Sequence, residues 1–130
     1  MSRHPPIIAV IDDEQAVCKA LGRLLQSAGW EVEIFRGGGE FLASLAGHHP
    51  DCALLDLTMP DVSGFDVLQR LAETGSLIPV IVITGNDSAT AEECVMRGGA
   101  VACLRKPVND RVLLDAITAA IARSAANPPP

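Results

Sequence analysis

Four places along the 130-residue chain carry side chains that could act together on a charged ligand. Asp12 and Asp13 follow the apolar run Ile7–Ile11, and Asp56 is embedded in Ala53-Leu-Leu-Asp-Leu57. Thr84 ends Pro79-Val-Ile-Val-Ile-Thr84, and Lys106, set before Pro107, follows Ala100-Val-Ala-Cys-Leu104. A carboxylate inside an apolar run is costly to bury unpaired, so Asp56 requires a charged partner or a solvent-open crevice. Three converging carboxylates repel one another, but they suit a hard divalent ion such as Mg²⁺, which keeps several waters and takes few protein ligands. Lys106 would add a second positive charge. Each residue also has an ordinary reading: Asp13 as a helix cap, Asp56 as the start of a turn at Met59-Pro60-Asp61, Thr84-Gly85 as a plain turn, Lys106-Pro107 as a common dipeptide. Those readings must all hold at once, at the ends of four different strands.

The elements that would position these residues are short. Five apolar or β-branched runs recur, at residues 7–11, 30–35, 52–57, 79–84 and 100–104. Four are almost continuously apolar, the pattern of parallel strands covered on both faces. The exception sets Trp30, Val32 and Ile34 against Glu31, Glu33 and Phe35, as expected of an edge strand with one wetter face. Between the runs the period becomes helical. Val17, Ala20, Leu21, Leu24, Leu25 and Ala28 form one stripe ending at Gly29, and Leu113, Ala116, Ile117, Ala120 and Ile121 form another after Asn109 or Asp110 as N-cap. Gly22 inside the first stripe costs about 1 kcal/mol relative to Ala. Weaker helices fit 40–46, Gly64–Glu73 and Ala89–Arg97, the last stopped by Gly98-Gly99. The reading is α/β, a (βα)5 doubly wound parallel five-stranded sheet with right-handed crossovers. In such sheets the ligand site lies beyond the carboxyl ends of the strands, where this chain places Asp12-Asp13, Arg36, Asp56, Thr84 and Lys106.

Composition narrows the class. Length implies one domain, assigned to residues 1–123, with 124–130 as a Pro-rich tail or the start of a linker. Sixteen acidic against ten basic residues give a net charge of −6, opposite to the footprint of a nucleic-acid binder. An aromatic content of 3% also leaves few stacking platforms for single-stranded nucleic acid. Cys18, Cys52, Cys94 and Cys103 fit neither a zinc nor a redox spacing, so each is expected to act as a small buried hydrophobe in a reducing compartment. The five apolar residues near the start are too few for a signal peptide or a membrane span, so the default expectation is cytoplasmic.

With these residues in place, the chain resembles the receiver domain of two-component response regulators from Ile7 to about Ala122. The resemblance rests on Asp12-Asp13, Leu54-Leu-Asp-Leu-Thr-Met-Pro60 followed by Gly64, Val80-Ile-Val-Ile-Thr-Gly85, Gly98-Gly-Ala100 and Lys106-Pro107. It implies the flavodoxin-like strand order 2-1-3-4-5. It also implies that Asp56 is the phosphoacceptor, attacking a phosphohistidine on a sensor histidine kinase or phosphotransfer protein. Mg²⁺ would be held by Asp13, Asp56 and the backbone carbonyl of Thr58, with Asp12 acting mainly through metal-bound water. Lys106 would pair with one phosphoryl oxygen, and the Thr84 hydroxyl would donate to another.

The resemblance further implies a signalling domain, not an enzyme with an external substrate, since it catalyses only its own phosphotransfer and dephosphorylation. Movement of Thr84 would bias the face built from the fourth helix, fifth strand and fifth helix, which would control dimerisation or an output partner. One position departs from the family pattern. Receivers generally carry an aromatic residue three positions before the lysine, and here that residue is Cys103, for which packing is expected ahead of a redox role. The alternatives are a receiver-like docking module that is never phosphorylated and a haloacid-dehalogenase-type phosphatase. The phosphatase motif has a second Asp two residues past the nucleophile, where this chain has Thr58. A flavodoxin-like cofactor protein would need a glycine- and hydroxyl-rich loop where Asp12-Asp13-Glu14 stand.

Overall fold

The strongest β-formers in the chain, runs of Ile, Val and Leu, assemble first-to-last into a wholly parallel sheet. The computed structural model describes residues 5–57, 59, 62–85 and 89–126. Strands β1 (Ile7–Ile11), β2 (Glu31–Phe35), β3 (Cys52–Asp56), β4 (Val80–Thr84) and β5 (Ala102–Arg105) lie in the order β2-β1-β3-β4-β5, all parallel. They alternate with helices α1 (Gln15–Ser27), α2 (Gly38–Ser44), α3 (Gly64–Glu73), α4 (Ala89–Arg97) and α5 (Asp110–Ala126). The expected (βα)5 architecture and strand order are both found.

Alternation along each strand divides the core into two layers. Ala9, Ile11, Ala53, Leu55, Val80 and Val82 face Phe41 of α2, Val67, Leu68 and Leu71 of α3, and Val95 of α4. The residues between them, Ile8, Val10, Cys52, Leu54, Ile81 and Ile83, face Cys18 and Leu25 of α1 and Leu113, Ile117 and Ala120 of α5. Strands β1, β3 and β4 therefore have helices over both faces, as their continuous apolarity requires. Helix ends follow local chemistry. Asn109 caps α5, its Oδ1 accepting from the amides of Arg111 (2.8 Å) and Val112 (3.2 Å). Gly29, at φ 91°, takes the left-handed turn after α1.

Several expectations are corrected. Run 100–104 is covered only partly: β5 is an outer strand beside β4, with Cys103 packed against one core layer and Ala102 and Leu104 against the other, all three half-buried. Apolar continuity reports residue type, whereas coverage depends on lateral neighbours, and an outer strand has only one. The wetter face expected of β2 is not clean either. Phe35, on the Glu side, packs edge-on against Phe41 with ring centroids 5.5 Å apart, while Ile34 on the apolar side is 45% exposed. Glu33 is half-buried and pairs with His48 Nε2 at 2.9 Å. Of the four cysteines, Cys18 and Cys52 are buried and Cys103 is half-buried against the α2–α4 core layer, but Cys94 is exposed on α4. The helix placed at 40–46 begins earlier, at Gly38, and α5 continues to Ala126, past the boundary expected at 123. No helix among the described residues is long and apolar enough to cross a membrane.

Gly22 lies on the buried face of α1, and a Cβ there would meet only Ile34 Cδ1 at 3.8 Å, an ordinary contact. Its helical conformation needs no glycine. Gly22→Ala is therefore expected to stabilise the fold by about 0.5–1 kcal/mol, chiefly by reducing backbone freedom in the unfolded chain. Urea denaturation checks this, and a lower midpoint in the variant would show that the helix–strand contact is tighter than described.

Candidate functional site

Each candidate side chain is set by the last rung of a parallel ladder. Beyond β1, the Asp12 amide donates to the Phe35 carbonyl (3.0 Å); beyond β3, Leu57 donates to Ile83 (3.1 Å); beyond β5, Lys106 donates to Thr84 (2.8 Å). The sheet thus extends its hydrogen bonding one residue past the apolar runs and delivers Asp12, Asp56, Thr84 and Lys106 to one edge. Asp12 and Asp56 are 4% and 5% exposed and Thr84 is 2% exposed, at the rim of an otherwise apolar core.

The carboxylates converge. One oxygen from each of Asp12, Asp13 and Asp56 lies within 4.8 Å of the others, with Asp13 half-buried. Lys106 Nζ stands 3.6 Å from Asp56 Oδ1 and 4.0 Å from Asp12 Oδ2, bridging the two buried acids. Thr84 ends β4 one residue past Ile83, the register partner of Asp56. The cluster is all-oxygen and carries more negative charge than one ammonium balances, a donor set matched to a hard dication and unsuited to soft metals. Thr58, expected to contribute its backbone carbonyl, lies outside the described residues.

Local contacts hold this arrangement. Asp12 Oδ1 accepts from the Glu14 amide (2.9 Å), turning the chain into α1, and the Asp12 carbonyl accepts from Cys18 Sγ (3.2 Å). Helix α1 begins after Glu14 with no side-chain cap, so Asp13 is not its cap. The Asp13 carbonyl accepts from Arg36 Nε (3.3 Å) and Nη2 (3.1 Å). Behind Asp56, Gly64 permits a close approach: a Cβ there would lie 2.8 Å from Leu57 Cα and 2.9 Å from the Asp56 carbonyl oxygen. The Gly64 amide donates to the Leu57 carbonyl (3.0 Å), docking the start of α3 on the strand that carries Asp56. Ser63 and Asp66 form a reciprocal capping box at that start. In the sequence Gly64 stands only as part of a motif, Arg36 only as a strand-end residue and Cys18 only as a core candidate. Their contacts with the site depend on which strands and helices become neighbours.

Burial raises the Asp12 pKa above the usual carboxylate value, reinforced by the charges of Glu14 and Asp13 and opposed by the Glu14 amide and Lys106.

Comparison with known proteins accords with this geometry. The sequence profile of the response regulator receiver domain matches residues 8–118. The chain belongs to that family. This receiver is 37% identical to response regulator protein TodT of Pseudomonas putida over 121 residues, 93% of this chain and 53% of TodT. It is 38% identical to nodulation protein W of Bradyrhizobium diazoefficiens over 117 residues, 90% of this chain and 52% of that protein. The chain thus spans about half the length of the curated relatives it matches. Among solved structures, the CheY-like receiver domain protein of Methanospirillum hungatei superposes with a TM-score of 0.88 at 30% identity, covering 94% of this chain and 98% of that one. The structure titled FixJ-N gives 0.84 at 33% identity, with 94% and 96% coverage. The receiver assignment displaces the dehalogenase-type and flavodoxin-like readings.

A native-state pKa raised above the unfolded value means the folded receiver binds more protons than the unfolded chain between the two values, so stability falls as pH rises through that window. At neutral pH the ionised Asp12 is therefore a destabilising element. Asp12→Asn keeps an oxygen for the Glu14 amide and removes the charge. Without added divalent cation, the variant is expected to resist urea better than the unsubstituted receiver at neutral pH, with the difference shrinking as pH falls toward the ordinary carboxylate range. A pH-independent difference would contradict burial as the dominant influence on Asp12.

Proposed function

We propose that this receiver accepts a phosphoryl group on Asp56 from a phosphohistidine of a sensor histidine kinase or phosphotransfer protein. The observation that carries the reading is the position of Lys106 Nζ, 3.6 Å from an oxygen of a buried aspartate that shares its surroundings with Asp12 and Asp13. An Asp56 oxygen attacks phosphorus, an O–P bond forms, the P–N bond to the donor imidazole breaks, and the imidazole departs as the neutral ring after taking up a proton. Catalysis of such a transfer is mostly positioning and charge neutralisation, with little covalent work for the protein. Asp13 and Asp56 would hold Mg²⁺ directly and Asp12 through water, and the ion would supply neutralisation of charge on the phosphoryl oxygens. Lys106 binds one phosphoryl oxygen, and the Thr84 hydroxyl donates to another.

The phosphoryl group adds a charge of about −1.5 to −2 and three acceptor oxygens at the sheet edge. Lys106 and Thr84 gain a new partner, and the change passes to the face of α4, β5 and α5, which controls dimerisation or an output partner. On that face Glu92 of α4 pairs with Arg105 of β5 at 3.3 Å, and Cys103, half-buried against the α2–α4 core layer, stands in place of the family's aromatic residue. With a smaller side chain there, coupling runs through Thr84, the backbone and the following loop. The curated relatives are about twice as long as this chain, and an output segment or separate effector is the partner this reading requires. The acidic net charge supports a protein partner over direct nucleic-acid contact, and a cytoplasmic setting follows from the kinase partnership.

Incubation with Mg²⁺ and a small acyl-phosphate donor is expected to add one phosphate to the intact protein, mapped to Asp56 and absent in Asp56→Asn. No adduct would overturn the assignment in favour of an unphosphorylated docking module, and an adduct that persists in Asp56→Asn would overturn it by placing the phosphate on another residue.

A further inference from the structure

Arg36 directly follows β2 and has no part in the transfer just described, yet its Nε and Nη2 both donate to the main-chain carbonyl of Asp13, at 3.3 and 3.1 Å. One residue earlier, the Asp12 carbonyl accepts from Cys18 Sγ at 3.2 Å, and the Asp12 amide donates to Phe35 beside Arg36. Both carbonyls of the acidic pair are therefore held from outside the site, one by the first helix and one by the outer strand. Their carboxylates meet that of Asp56 within 4.8 Å. Adjacent carboxylates facing a third have an electrostatic reason to spread; Lys106 offsets it at Asp12 and Asp56, and the Arg36 contacts hold the Asp13 peptide. A planar guanidinium making two contacts to one carbonyl restrains a peptide in orientation as well as position.

From this geometry we propose that Arg36 is a positioning residue for divalent-cation binding: it fixes the Asp13 peptide so that the Asp13 carboxylate is presented to the metal. The inference rests on the Mg²⁺ reading of the site. It differs in sign from what charge alone would do. Arg36 places positive charge beside an acidic cluster, so removing that charge would by itself tighten cation binding. Loss of positioning weakens it, and outer partners of metal ligands commonly contribute about 10- to 100-fold in affinity.

The test is calorimetric titration of the whole chain with Mg²⁺, at a temperature where each variant is folded, using the unsubstituted protein, Arg36→Gln, Arg36→Lys and Asp13→Asn. Arg36→Gln is expected to weaken Mg²⁺ by about tenfold despite the lost positive charge, and Arg36→Lys, which keeps a donor without the fork, to recover part of that. Its thermal unfolding should change little, because the Arg36 side chain is exposed. Unchanged or tighter Mg²⁺ binding in Arg36→Gln, with affinity lost in Asp13→Asn, would overturn the role of Arg36 and leave the site reading intact. Unchanged binding in Asp13→Asn would overturn the site reading and this inference with it.

Discussion

Two carboxylates are almost withdrawn from water at the end of an apolar sheet, with a third beside them and one ammonium, Lys106, reaching both. Ionised acids in that setting lose hydration and repel one another, and a single lysine offsets only part of that cost. The fold therefore carries a standing electrostatic deficit that added positive charge relieves. That deficit suits a hard dication, and phosphoryl transfer to Asp56 is the chemistry proposed for it. Replacing the cluster with apolar residues would suit the core better, so stability alone does not account for it.

The rest of the molecule serves to keep that deficit from relaxing. Two core layers grip β1, β3 and β4 from opposite faces, so the strand ends cannot drift independently. Parallel ladders continue one residue past β1, β3 and β5, fixing the backbone of Asp12, Leu57 and Lys106. Gly64 lets the start of α3 close on Asp56 from behind. Tethers from Cys18 and Arg36 restrain the acidic pair from two sides. Thr84 belongs to the same framework, its carbonyl accepting from the Lys106 amide across β4 and β5.

Much of this was legible in the sequence for a simple physical reason. A buried parallel strand is an unbroken apolar run, so the residue at which polarity resumes marks the carboxyl edge, and Asp12, Asp56, Thr84 and Lys106 all sit at that transition. The stripes in α1 and α5 announced their buried faces equally plainly. What depends on lateral neighbours was not legible. Nothing in Ala100 to Leu104 says that β5 is the outer strand, and nothing in Ile34 says that it stays half in water. The exposure of Cys94 likewise depends on which side of α4 meets the sheet. The roles of Gly64, Cys18 and Arg36 arise from contacts across 7, 6 and 23 residues of sequence, and only the assembled sheet brings those pairs together.

On this reading the carboxyl edge, and no other acidic patch, is the cation site. Paramagnetic broadening by substoichiometric Mn²⁺, followed by the amide signals of the whole chain, tests it most directly. The amides of Asp12, Asp13, Asp56 and Lys106 are expected to vanish first, while those of Asp51 and Glu73 persist. Broadening that begins at Asp51, Glu73 or another acidic patch away from Asp12 would contradict it.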